Sequence, residues 1–159
     1  MRKVNTNELE ELTWSSPKGK FAGAGKQVSE ALGRKPDSTD LAERHPFDVE
    51  ICRLPPGKPA YPYHSHSAQW EFYYVISGSG LARDGEGHSQ IVPGDAFIFA
   101  PNEAHQLINN GREDLVLFVV ADNPIGESAY YPDSKKWLVR SPERALIRSD
   151  TLEYYAGEE

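Results

Sequence analysis

Four side chains in the middle of the sequence have the types and spacing that bind a transition-metal ion. The stretch HSHSAQWEFYYVISG carries His64 and His66 two residues apart, Glu71 five residues after the second, and Gly78 at its end. Successive side chains on a strand point to opposite faces, so His64 and His66 share one. Two imidazole nitrogens at that spacing can converge on one ion, and Glu71 adds a hard carboxylate oxygen once the chain turns back. His105 opens another short stretch, HQLIN, and offers a third nitrogen. Three imidazoles and one carboxylate leave positions on an octahedral ion open to water or substrate, as a catalytic site requires. The implied cofactor is one divalent transition-metal ion, with Fe, Mn, Ni, Zn and Co all open.

The elements that must position these residues read as short strands separated by turns. FDVEICRL (47–54) alternates, with Phe47, Val49 and Ile51 on one face and Asp48, Glu50 and Cys52 on the other. QWEFYYVIS (69–77) is rich in aromatic and β-branched residues. LARDGEGHSQIV (81–92) contains Asp84-Gly85 and Gly87, a hairpin signal. DAFIFA (95–100) and HQLIN (105–109) flank a Pro101-Asn102 turn. DLVLFVVA (114–121) is apolar on both faces, so the expectation is cover on both sides. Short strands at this spacing predict an all-β sandwich or barrel.

A chain of 159 residues is expected to form a single domain. Residues 46–122 are its barrel core, 1–45 an N-terminal arm or lid, and 123–159 a C-terminal arm with two late strands in YYPDSKKWLVR and RALIRS. Residues 15–36 predict a short helix over Lys26–Leu32 and irregular chain elsewhere. GAGKQ within them fails as a phosphate loop. Lys20 stands where the first glycine belongs, Gln27 where Ser or Thr belongs, and no strand is expected before it.

The two histidine-bearing stretches resemble the motifs of the cupins, small β-barrels of jelly-roll topology. The first cupin motif is G, five residues, H-x-H, three or four residues, E, six residues, G. Here His64, His66, Glu71 and Gly78 stand at those gaps, while Gly57 lies one residue too far and Lys58 takes its place. The second motif is G, five residues, P-x-G, two residues, H, three residues, N. Gly94, His105 and Asn109 match it, with Ala100 in place of the proline and Asn102 in place of the second glycine. Asparagine is the residue after glycine that best tolerates a left-handed turn, so the turn is expected to survive.

The resemblance implies a double-stranded β-helix, or jelly-roll barrel, and a metal held by His64, His66, Glu71 and His105. It also implies a homodimer. The YYPDSKKW tail looks like that of small bacterial cupins named after sugar-phosphate isomerases, so the first expectation is a metal-dependent enzyme on a small polar or anionic substrate. The alternatives are an Fe(II)-dependent dioxygenase and a non-catalytic small-ligand sensor.

Period-two alternation places Gln69, Tyr73 and Val75 on the side of Glu71. Arg53 continues the face of Phe47, Val49 and Ile51, where it either reaches into the barrel to bind an anion or snorkels outward. The candidate substrate-binding residues are therefore Arg53, Tyr73 and Gln69. Tyr61 and Tyr63 flank the metal loop as mouth residues or as packing aromatics. Lys18, Lys20, Lys26, Arg34 and Lys35 face only Glu30 in composition, which reads as a lid for anions or as a solvated face. His45 and His88 lie in turn-like sequence and read as exposed.

The net charge of -7 and pI near 5.3 argue against nucleic acid and anionic membrane as partners. No apolar run is long enough to span a bilayer, and MRKVNTNELEELTW lacks the apolar core of a signal peptide. Cys52 is the only cysteine, so a reducing, cytoplasmic setting is expected and Cys52 reads as a small buried hydrophobe.

Overall fold

The computed structural model describes residues 1–140, 144–148, 152 and 154–158. Its elements are β1 (Leu12–Ser15), β2 (Ala22–Gln27), α1 (Val28–Ala31), α2 (Leu41–Arg44), β3 (Phe47–Leu54), β4 (Ser65–His66), β5 (Glu71–Ser77) and β6 (Gly80–Arg83). They continue with β7 (His88–Ile91), β8 (Ala96–Phe99), β9 (Gln106–Ile108), β10 (Leu115–Asp122), β11 (Ala129–Tyr131), β12 (Lys136–Val139) and β13 (Ala145–Ile147). The strands form three antiparallel sheets in the orders β1-β2-β3-β10-β5-β8, β13-β12-β11-β4 and β7-β6-β9. The fold is an all-β double-stranded β-helix. No helix among the described residues is long and apolar enough to cross a membrane.

Turn chemistry closes the strands where glycine or a short polar side chain permits it. Asp84 Oδ1 accepts hydrogen bonds from the backbone N–H groups of Glu86 and Gly87, at 2.8 and 3.0 Å, and so shapes the β6–β7 hairpin. Gly78 has φ +75°, and a Cβ there would sit 2.2 Å from the Asp114 carbonyl oxygen. Only glycine fits the end of β5. Asn102 adopts φ +69°, the left-handed turn expected of it.

The N-terminal reading needs correction. The helix is confined to Val28–Ala31, and Ala22–Gln27 is strand rather than irregular chain. AGAGKQ pairs with β1 on one side and β3 on the other, because small residues let the backbone lie flat against both neighbours. Of the basic stretch, Lys26 is therefore woven into the large sheet, while Lys18, Lys20, Arg34 and Lys35 lie outside its strands. The C-terminal region holds three strands, β11 to β13, where two were expected.

Three central strands set the interior layer by layer. Leu54 lies opposite Leu115, and Cys52 opposite Leu117, which faces Val75 on its other side. Glu50 lies opposite Val119, which faces Tyr73, and Asp48 opposite Ala121, which faces Glu71. Leu54, Val75, Leu115 and Leu117 are fully buried and close one end of the barrel. On β10 only this inner face is fully covered. Val116, Phe118 and Val120 remain half-buried on the outer face, beside exposed Tyr74, Ile76 and Ile98. The expected cover on both sides of this strand is only partial.

The inward face of β3 is the reverse of a hydrophobicity-based choice. Asp48 and Glu50 line a cavity, whereas Phe47 is exposed on the other side. The outer face of the large sheet is itself apolar, so apolar character along β3 does not identify the inside.

Candidate metal centre

His64, His66, Glu71 and His105 come together, each offering one ligand atom, with all four atoms within 4.8 Å of one another. Backbone pairing places them. His64 and His105 form a β-bridge, with N–H to carbonyl bonds of 3.1 and 2.8 Å in the two directions. His66 lies on β4 opposite Ala129 of β11. Its carbonyl accepts from the N–H of Asn102, at 2.7 Å, so the left-handed turn of the second motif is tied to the first. Glu71 opens β5 opposite Ala121.

The outer nitrogens define how the rings are charged and aimed. His64 Nδ1 lies 2.8 Å from the Pro62 carbonyl oxygen, and His105 Nδ1 lies 3.0 Å from that of Glu103. A carbonyl oxygen only accepts, so both Nδ1 atoms carry the proton. His66 Nδ1 lies 3.2 Å from a carboxylate oxygen of Glu127 and donates likewise. In the neutral rings every Nε2 is then a lone pair turned toward the common centre. His66 Nε2 is buried without a hydrogen-bond partner. His105 Nε2 lies 2.7 Å from Glu71 Oε2. Two electron-pair donors at that distance need a positive centre between them, a proton or a cation. The donor set and the orphaned nitrogen both fit a divalent metal ion.

The electrostatics favour the ligand forms of Glu71 and His64. Burial acts to raise the Glu71 carboxyl, but the His105 hydrogen bond and the charges of all three histidines outweigh it and hold it at about 2. Burial, then the charges of His105 and His66, push His64 down to about 4, which favours the neutral ligand form. Burial also opposes charge on His66, yet the Glu127 hydrogen bond and the charges of Glu71 and Glu127 leave it raised. Glu127 itself is buried and further accepts the backbone N–H groups of Ser67 and Ala68, at 2.9 and 3.0 Å. It fixes both the orientation of His66 and the loop after it. Nothing in the sequence singled it out, because it lies sixty-one positions beyond His66.

Three of the four donors, His64, His66 and Glu71, line a cavity of about 350 Å³, within the range of small-molecule sites, while His105 lines a small adjoining void behind them. Tyr73 and Gln69 line it, as the alternation predicted. Tyr73 donates from its hydroxyl to Glu71 Oε2 at 3.0 Å. Gln69 donates to the Asp122 carbonyl. Arg53 is corrected: it does not line this cavity. It points the other way, with Nη2 on Glu11 and Nη1 on Asp114 at 2.5 and 2.9 Å. Position parity along β3 sends its neighbours Cys52 and Leu54 inward and Arg53 outward.

Residues that line the cavity without having been singled out include Asp48, Glu50, Arg140 and Arg144. Glu50 stands out among them. Burial, opposed by the Gln27 hydrogen bond and reinforced by the charges of Asp48, Glu71 and Glu30, pushes its carboxyl up to about 7. Arg34 is the one member of the basic stretch at the cavity, and its Nη1 is held by Glu30 and Asp48 at 2.5 and 3.2 Å. Tyr61 lines the mouth and stacks on Trp14, whereas Tyr63 is buried beneath the Arg83 guanidinium. Cys52 is buried in the core as expected, and burial pushes its thiol far above the usual range, which removes thiolate chemistry at neutral pH. His88 is exposed as expected and His45 is half-buried at the end of α2.

Comparison with known proteins agrees with this architecture. A structure from Acidithiobacillus ferrooxidans with the provisional name sugar phosphate isomerase superposes with a TM-score of 0.78, at 25% identity over 92% of each chain. A cupin from Silicibacter pomeroyi, named as a sugar phosphate isomerase, superposes with a TM-score of 0.75, at 24% identity over 96% of this chain and 97% of that one. An oxalate-binding protein from Thermotoga maritima is 32% identical over 68 residues, a match that covers 43% of this chain and spans 55% of the relative's length. The family model of the cupin domain matches residues 50–121, which hold all four donors and the central strands. Over residues 50–121 the barrel is of the cupin type.

Proposed function

We propose that this protein is a metal-dependent enzyme in which His64, His66, Glu71 and His105 hold one divalent transition-metal ion beside a small polar or anionic substrate. The observation that carries the reading is the arrangement of three Nε2 lone pairs and a carboxylate around one point, three of the four donors lining a cavity that other polar groups share. The chemistry favoured is isomerisation of a phosphorylated sugar, the activity in the name of the Acidithiobacillus relative at 25% identity.

A bound divalent ion would polarise a carbonyl of the substrate. The rest falls to the chain's own side chains. Isomerisation moves one proton from the hydroxyl-bearing carbon beside a carbonyl to the carbonyl carbon, and a second from that hydroxyl to the carbonyl oxygen, so it needs a base that carries the first. Glu50 faces the cavity outside the donor set, and a carboxyl held near 7 both accepts and returns a proton at neutral pH. Gln27 holds it through Oε2 at 2.9 Å. Tyr73 and Gln69 supply hydrogen-bonding wall around it.

A second reading, ligand binding without turnover, has one observation in its favour: the partial likeness to an oxalate-binding protein. The homodimer and the cytoplasmic setting belong to the proposal as well. Exposed Tyr74, Ile76 and Ile98 on the outer sheet face support the former.

Metal analysis of purified protein, paired with a double variant His64→Ala/His66→Ala, tests the site. Wild type is expected to hold close to one ion per chain, and the double variant to bind at least about a hundredfold more weakly. Equal metal content in both removes the site. Conversion of phosphorylated aldoses, followed by proton NMR in deuterated water, tests the enzyme. Bound metal with no conversion leaves the binding reading in its place.

A further inference from the structure

Two cavity arginines have no part in the donor cluster. Arg140 and Arg144 flank the segment that joins β12 to β13, and both line the cavity. Both also line an adjoining cleft with Asp37, Thr39 and Arg44. They therefore stand where the cavity opens outward. Tyr131 lines the same cavity beside them.

The other arginines nearby are already engaged. Arg34 is bonded to Glu30, Asp48 and Asn123. Arg44 donates to the carbonyls of Ser38, Asn123 and Pro124. Among the described residues Arg140 bonds through Nη1 to Asp37 at 2.9 Å, and the two side chains are 41% and 63% exposed. An ion pair so open to water contributes little and is readily exchanged for an incoming anion.

We propose that Arg140 and Arg144 form a phosphate subsite at the mouth of the cavity, holding the phosphate monoester end of a ligand whose other end reaches inward to the four donors. Only that inner end rests on the metal-dependent reading above. A phosphate monoester carries close to two negative charges and three acceptor oxygens, which suits two guanidinium forks. A single carboxylate is satisfied by one. The cavity lining also carries Asp48 and Glu50, which disfavours a dicarboxylate lying among them.

Titration of inorganic phosphate into chelator-stripped full-length protein, by calorimetry at low salt, tests the subsite without metal. Wild type is expected to bind phosphate, and Arg140→Gln/Arg144→Gln to bind it about tenfold more weakly or not at all. Asp37→Asn, which removes the competitor for Arg140, is expected to tighten binding about twofold to fivefold. A disrupted fold would not produce that gain. Equal phosphate affinity in wild type and the double variant overturns the subsite. So does absent phosphate binding in the wild type, or oxalate bound more tightly than phosphate by the stripped protein. Failure here leaves the four-donor site standing, and failure of the metal analysis leaves the phosphate subsite standing.

Discussion

The two ends of the barrel interior are built from the same three strands and do opposite things. At one end Leu54, Cys52, Val75, Leu115 and Leu117 meet across β3, β10 and β5 and exclude water. Two residues further along each strand, the same inward positions become Glu50, Val119 and Tyr73, then Asp48, Ala121 and Glu71. The backbone ladder does not change; the side chains do. The closed end supplies apolar burial, the dominant favourable contribution to folding. The open end spends stability on buried carboxylates and imidazoles, which are unfavourable without partners. One half therefore makes the other affordable, and the boundary falls between Cys52 and Glu50.

That division can be broken from either side. The largest effect on stability is expected at the closed end. Leu117→Ala should cost about 2–5 kcal/mol in urea denaturation, from lost burial and the cavity left behind, while metal content stays near that of the wild type. Equal loss of both would show that the two ends are not separable.

A smaller effect is expected at the open end, with a pH signature. Glu50 is raised from 4.5 to about 7, so the folded state holds a proton that the unfolded chain has released. Its favourable contribution is complete below about pH 4.5 and is lost as the pH rises through about 7. Gln never acquires the charge. Metal-free Glu50→Gln should therefore gain on the wild type between about pH 5 and pH 8, by up to about 3 kcal/mol. Parallel stability profiles for the two proteins would contradict the buried setting of Glu50.

The smallest effect belongs to neither end. Arg53→Gln removes ion pairs with Glu11 and Asp114 that are about a third exposed. It should cost less than about 1 kcal/mol and leave metal and phosphate binding unchanged. A large loss of ligand binding would return Arg53 to the site.

Much of this molecule was legible along the chain. The expectation of strand over FDVEICRL matches β3 from Phe47 to Leu54, and the other core strands fall close to their expected spans. Alternation correctly placed Tyr73 and Gln69 on the side of Glu71. It also separated the two faces of β3 correctly, but it did not identify which face was inside. Phe47, Val49 and Ile51 look like core, yet they belong to the apolar outer face, while Asp48 and Glu50 line the cavity. Functional carboxylates make the inward face look like surface, so pattern misleads where chemistry has replaced packing.

What the sequence determined by itself was local: alternation, turn residues, and the gaps that put His64, His66 and Glu71 on a metal-binding motif. Those signals depend on backbone geometry over a few residues, and period and spacing carry them completely. Only the tertiary structure decided that Glu127 would hold His66, that Gln27 would hold Glu50, and that Arg140 and Arg144 would line the cavity. Those pairings cross tens of residues and follow from strand order and register, which no local pattern encodes.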